Sequence, residues 1–260
     1  GVFDPATLAV STVDIFWGVY KYEGGVLLPS GMVVFVPYYA DKVGVFDAST
    51  DTFRTVDISA TESANHKYSG GVLLPNGNVL FVPLHSHKVG LFDPETDAFT
   101  AVDISAFISH LDKYRGGVLA PSGKVVFVPF KANNIGVFDP ATNVFSVVDI
   151  SATISHYAKY VGGVLLPSGK IAFAPNSAVQ VGLFDPANNT FSLVGAPISR
   201  EGGYTYYGGV LMPSGKVVFV PMHADDVGLF DPGSAEPAYT VSGGVPDAWR
   251  ALLSPHFNKY

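Results

Sequence analysis

The motif Gly-Gly-Val-Leu-x-Pro recurs at Gly24, Gly70, Gly116, Gly162 and Gly208, and every interval is 46 residues. A fixed period of this length marks stacked supersecondary units, none of which can bury its apolar face alone. The unit that begins at Gly116 divides into four short apolar runs separated by turn chemistry. Pro121-Ser122-Gly123 presets a tight turn, because Pro fixes φ and Gly accepts a positive one. Val125, Val126, Phe127 and Val128 then form an unbroken apolar run, as in a strand buried on both faces. The third run ends at Phe138-Asp139-Pro140, and the same Asp-Pro turn stands at Asp4, Asp93, Asp185 and Asp231; at Asp47 the next residue is Ala48. An Asp that accepts backbone N–H bonds while Pro takes the next position closes a hairpin.

Four antiparallel strands per unit, here called a to d, are the blade of a β-propeller. The chain is therefore predicted to be all-β, a single domain spanning residues 1–260. Helical periodicity is confined to Pro246 to Leu253, where one or two turns are expected. There are five a–b hairpins but six c–d hairpins, the extra one lying in residues 1–15. Residues 243–260 read as a linker whose final Asn258-Lys259-Tyr260 matches the residues that precede each Gly-Gly. Five complete blades and a partial sixth are expected, and a six-position ring is favoured over a five-bladed ring clasped by the first hairpin. An unfinished blade exposes strand edges, which makes self-association an expectation too. The chain opens on Gly1 rather than Met, which reads as a trimmed N-terminus.

The order of motifs resembles the NHL and YVTN-type propeller repeats. Those families place a turn after the first strand, a Val-rich second strand and a third strand ending in Asp. The counterparts here are Pro75-Asn76-Gly77, Val79 to Val82, and Gly90-Leu91-Phe92-Asp93. The resemblance covers the whole chain and implies that the Gly-Gly strand is innermost, lining a central channel. It implies no activity, because function belongs to sites rather than folds.

Several function classes recede on composition. The formal charge of -7, with dispersed Lys and Arg, argues against a nucleic-acid surface. With no cysteine, neither disulfides nor thiolate metal sites exist. No apolar run reaches the roughly 18 residues of a membrane-spanning helix. Asn188-Asn189-Thr190 matches a glycosylation sequon and matters only in a secreted protein.

In a propeller the d–a linkers and b–c loops share one face, and the a–b and c–d turns share the other. All seven histidines fall on the first face: His66, His110, His156 and His256 in linkers, and His85, His87 and His223 in b–c loops. The b–c loops also vary most between units. Their equivalent second residues are Tyr39, His85, Lys131, Ser177 and His223, which a ring brings toward the channel mouth. Variable loops on a rigid scaffold carry specificity. The candidate ligand-binding residues are therefore Tyr38, Tyr39, His85, His87, Lys131, His223 and Asp225.

Metal and catalytic motifs are weak. His85 and His87, with His223 or Asp225, are a conceivable cation set, and Asp41, Asn133 and Asp225 share the fourth loop position. The histidine set has no HExxH motif and no supporting carboxylate, and the second set has no inner-strand Glu to complete it; Glu95 reads as a turn residue and the other glutamates as isolated in linkers or the last blade. No metal, cofactor or catalytic residue is assigned. The aspartates of the Asp-rich turns read as hairpin closers rather than calcium ligands. The repeated Lys-Tyr before Gly-Gly (Lys21-Tyr22, Lys67-Tyr68, Lys113-Tyr114, Lys159-Tyr160, replaced once by Tyr206-Tyr207) reads as interblade packing more than as a stacking row for a sugar or base. The sequence thus points to a non-enzymatic binding module for a small molecule, glycan or protein segment. Its alternatives are a metal-dependent, lactonase-like hydrolase and a tile of a longer repeat assembly.

Overall fold

The structure, a computed structural model, describes residues 1–15, 18–195 and 203–233. The helical turn expected at 246–253, the linker at 243–260 and His256 lie outside the described residues. Within them every regular element is a strand. A first hairpin pairs β1 (Val2–Asp4) with β2 (Ala9–Ser11) as a separate sheet. Blade one follows: β3 (Tyr22–Leu27), β4 (Met32–Pro37), β5 (Lys42–Asp47) and β6 (Thr52–Asp57). Blade two is β7 (Tyr68–Leu73), β8 (Val79–Pro83), β9 (Lys88–Asp93) and β10 (Ala98–Asp103). Blade three is β11 (Tyr114–Leu119), β12 (Val125–Pro129), β13 (Asn134–Asp139) and β14 (Val144–Asp149). Blade four is β15 (Tyr160–Leu165), β16 (Ile171–Pro175), β17 (Val181–Asp185) and β18 (Thr190–Val194). Blade five contributes β19 (Tyr206–Leu211), β20 (Val217–Pro221) and β21 (Gly228–Phe230). Each sheet is antiparallel in chain order.

Both glycines of the motif have a mechanical reason. In β3, Tyr22 pairs with Pro37 but Gly25 pairs with Phe35, so the inner strand carries one extra residue. The same bulge recurs in β7, β11, β15 and β19. Its first glycine takes a positive φ, from 72° at Gly162 to 101° at Gly24, a region hostile to side chains. The second glycine faces the preceding blade. A Cβ on Gly71 would lie 2.8 Å from Val26 and 2.9 Å from Val36. On Gly117 it would meet Val82 at 2.8 Å and Val72 at 3.0 Å, and Gly163 repeats the arrangement against Val118 and Val128. Valines of one blade therefore seat in the glycine gap of the next. This lock holds the inner strands β3, β7, β11, β15 and β19 side by side in that order.

The repeated tyrosine is core, as expected. Tyr68 is fully buried and packs with Val26, Val36 and Val45 of blade one and Phe81 of its own blade. Burying such a side chain stabilises by about 1.5–3 kcal/mol. The fifth unit needs a correction of register. Tyr206 pairs with Pro221 as Tyr22 pairs with Pro37, so Thr205 takes the lysine's place and Tyr207 that of Glu23. Blade five also differs at its outward side. Val227 and Leu229 are 63% exposed, where Ile135 and Val137 of blade three are 0% and 8% exposed. No helix among the described residues is long and apolar enough to cross a membrane.

Candidate functional site

The mouth is built by a backbone clasp repeated between each linker and the b–c loop of the same blade. The N–H of the second loop residue donates to the linker residue two before the core tyrosine: Tyr39 to Tyr20 (3.2 Å), His85 to His66 (3.0 Å), Lys131 to Asp112 (3.0 Å), Ser177 to Ala158 (2.7 Å) and His223 to Tyr204 (3.1 Å). Tyr20, His66, Asp112 and Tyr204 hold positive φ values of 48° to 59° there. That conformation costs an L-residue about 1–2 kcal/mol.

Beneath the clasp sit the lysines of the Lys-Tyr pairs. Lys67, Lys113 and Lys159 are at most 1% exposed. Lys67 Nζ donates to Tyr39 O (3.2 Å) and pairs with Asp41 (2.8 Å). Lys113 Nζ donates to His85 O (3.2 Å) and His110 O (3.0 Å). Lys159 Nζ donates to Lys131 O (3.3 Å) and Asn133 Oδ1 (2.9 Å). Each lysine thus ties down the second loop residue of the preceding blade. Burial pushes Lys113 down to about 8, and lowers Lys159 for the same reason.

These bonds correct two sequence readings. Asp41 and Asn133 face buried lysines rather than a shared cation site. Among the described residues no group of three His, Asp or Glu is arranged to hold a metal ion. His85 and His87 also part company, because the loop bends instead of running extended. His87 accepts the Ile104 N–H through its carbonyl, at the outer end of β10, and lies close enough to Asp103 to lower that carboxyl, whose main perturbation is the Ser105 backbone bond.

His85 turns to the mouth. Its Nε2 lies 2.9 Å from Asp112 Oδ1, and Lys131 Nζ donates to Asp112 Oδ2 at 2.7 Å. Burial alone would raise the Asp112 carboxyl, but the bonds from Lys131 and His85 outweigh it and leave it lowered. Asp112 is therefore ionised and acceptor-only, so Nε2 carries the proton of that bond and Nδ1 is the ring nitrogen that takes no part in it. Lys131 also reaches Tyr157 OH (2.5 Å). Tyr38, Tyr39, His66 and His85 pack edge to face, with centroids 4.4 to 5.4 Å apart. Desolvation, then the charge of Glu23, pushes Tyr38 up to about 12. Desolvation, then His85, lowers His66. His223 packs on Tyr204 at 5.9 Å, and Asp225 is exposed on the same loop.

Sequence reasoning missed a set of residues that cross the channel. Immediately before each Gly-Gly stand Glu23, Ser69, Arg115, Val161 and Tyr207, all in inner strands. Glu23 is thus no linker residue, because it belongs to β3. Glu23 Oε1 accepts from Ser69 Oγ (2.9 Å) and from Tyr207 OH (3.0 Å), 184 residues away. Arg115 donates to Tyr207 OH (3.4 Å), lies 4.0 Å from Glu23 and stacks over Phe130 at 4.5 Å. The signal was available: this position varies between units just as the b–c loops do.

Arg115, Val161 and Tyr207 of this set help enclose a depression of about 190 Å³ between blades three, four and five. Asp112, Arg115, Phe130 and Lys131 line one side, Val161 and Asn176 the floor region of blade four, and Tyr204, Tyr207 and Met222 the far side. Of the residues expected at a site, it contains Lys131. Tyr38, Tyr39 and His85 form the adjoining rim, while His87, His223 and Asp225 do not line it.

No protein-family model and no curated protein sequence matches the chain. Solved structures share its fold. A catalytically inactive histidine-to-alanine form of virginiamycin B lyase from Staphylococcus aureus, solved with quinupristin, aligns with a TM-score of 0.68. That pair is 14% identical, over 85% of this chain and 70% of the lyase. A streptogramin B lyase aligns at 0.62 with 17% identity, covering 84% and 73% of the two chains. A candidate 6-phosphogluconolactonase from Bacteroides uniformis aligns at 0.59 with 14% identity, covering 81% and 66%. At such identities the shared property is the fold, and the chain is a β-propeller whose relatives in shape include enzymes.

Proposed function

We propose that the channel mouth binds a small organic molecule in the depression between blades three and five. The observation that carries this reading is convergence. Positions that are equivalent by the 46-residue repeat, Arg115, Val161 and Tyr207 in the inner strands and Phe130, Asn176 and Met222 in the loops, differ in chemistry and meet at one concavity. A concave site with apolar walls and a few placed polar groups is the usual form of a ligand pocket. The test is a ligand-observed NMR screen of a fragment library against the wild type and a Lys131→Ala, Tyr207→Ala double variant, which removes one polar group and one wall of the depression. Hits lost in the variant support the site; hits that survive unchanged overturn it.

A second reading, turnover of the bound molecule, is favoured by the His85–Asp112 pair. A carboxylate that fixes the imidazole tautomer leaves Nδ1 as a general base at the rim. The lyase and lactonase names of proteins similar in fold are compatible with this chemistry. Under this reading His85→Gln abolishes consumption of a mouth ligand while its Kd changes little. Equal loss of binding and turnover assigns His85 to binding alone.

A further inference from the structure

Position 176 breaks a rule that the other blades keep. The first b–c residue is Tyr38, Leu84, Phe130 and Met222 in the other four, an apolar body each time, but Asn176 in blade four. Asn176 is 1% exposed. Its Nδ2 donates to Tyr206 O at 3.0 Å, which fixes the amide orientation and leaves Oδ1 buried without a donor. Across the depression, Arg115 Nε is likewise buried without an acceptor. Both side chains line the same concavity. A buried polar group without a partner is costly, and each case in a folded protein asks for a reason. A leucine in place of Asn176, as at the equivalent Leu84, would avoid that cost.

The charges point the same way. Lys131 faces Asp112 at 2.7 Å and Arg115 faces Glu23 at 4.0 Å, so the formal charges at the depression are already matched. A charged guest would leave one of them without its counter-ion in a partly dehydrated site. Phe130, Val161 and Met222 supply an apolar wall.

We infer that the depression takes an uncharged hydroxyl- or amide-bearing ligand, which gives a hydrogen-bond donor to Asn176 Oδ1 and an acceptor to Arg115. This rests on the mouth being the binding site. Tyr207 OH already accepts from Arg115 and donates to Glu23, so it is a wall of the site rather than a contact that selects the guest.

The experiment uses four probes on isotope-labelled protein: methyl glucoside (hydroxyls only), N-acetylglycine methylamide (amides only), and the charged gluconate and glucosamine. Resonances of Phe130, Lys131 and Tyr204 report entry. The expected result is that a neutral probe shifts these residues and loses roughly tenfold or more in affinity in both Asn176→Leu and Arg115→Lys. Which neutral probe binds separates hydroxyl from amide ligands. Asn176→Leu installs the side chain that blade two carries at Leu84, and Arg115→Lys keeps the charge opposite Glu23, so one variant checks the other if either unfolds. Charged probes that bind best, with Asn176→Leu without effect, overturn the ligand class and leave the mouth site standing. No probe of either kind shifting the mouth overturns both.

Discussion

On the face formed by the c–d turns, the residue with a positive φ is Leu8, Asp51, Asp97, Asn143 or Asn189, four places after the aspartate of each fully described c–d hairpin. Behind it the aspartate repeats one bond: Asp4 accepts from Ala6 N–H, Asp47 from Ser49, Asp93 from Glu95, Asp139 from Ala141 and Asp185 from Ala187, at 2.8 to 3.0 Å. On the mouth face the positive-φ residues are Tyr20, His66, Asp112 and Tyr204. The backbone device is the same, yet four of the five turn-face residues are Asp or Asn, which tolerate it best, whereas the mouth holds two tyrosines in it. Strain carried by a badly suited side chain at a loop clasp is what a site under a second constraint looks like.

Lys113 offers the strongest way to break this contrast. Lys113→Met removes the donor from two carbonyls below the mouth and is expected to cost about 1–3 kcal/mol in denaturant unfolding. It should also loosen His85, read as loss of mouth-ligand binding. An unchanged midpoint with binding intact would show that the lysine is not a latch.

The pH dependence sharpens the point. Lys113 titrates near 8 in the fold against 10.5 ordinarily, so the unfolded chain holds the extra proton between those values. Its contribution therefore makes stability rise as pH climbs from about 8. Tyr38 titrates near 12 in the fold against 10.0, so above pH 10 the unfolded chain has shed a proton the fold keeps, and stability falls. A maximum close to pH 10 is expected in melts across this range, and Lys113→Met should flatten its lower limb.

The turn face should respond more mildly. Asp139→Ala loses the bond to Ala141 N–H and should lower stability by roughly 0.5–1 kcal/mol with no effect on mouth binding. The smallest effects come from glycine at the two kinds of left-handed residue. Asn143→Gly should be within about 0.5 kcal/mol of wild type and otherwise silent. His66→Gly should be similarly neutral in stability, yet it deletes the ring between Tyr39 and His85 and should weaken any mouth ligand. Equal binding in both variants would remove the distinction between the faces.

The blade and its turns were legible because each depends on local chemistry repeated five times, whereas the inner placement of the Gly-Gly strand rested on the resemblance to known propeller repeats. The place of Lys131 in the depression, with His85 beside it through Asp112, follows from the loop variability that singled those positions out. The Glu23–Ser69–Arg115–Tyr207 contacts were not legible, because residues separated by as many as 184 positions meet only once the ring curves. His87 misled because alternation of sides holds in an extended strand and not in a bent loop. The Lys-Tyr pairs read as interblade packing, and the buried lysines agree, but their partners were not legible, because the carbonyls they reach belong to the loop of the preceding blade.

The valine-into-glycine joint has one more implication. Since blades one, two and three present their neighbours with the same socket and the same pair of valines, a 46-residue unit can be transplanted among these positions without re-fitting its flanks, whereas blade four, with Ala174 in the second valine's place, would need its joint re-fitted. The rim then behaves as an interchangeable array, in which exchanging one cassette swaps one residue of the recognition surface and leaves the frame unaltered.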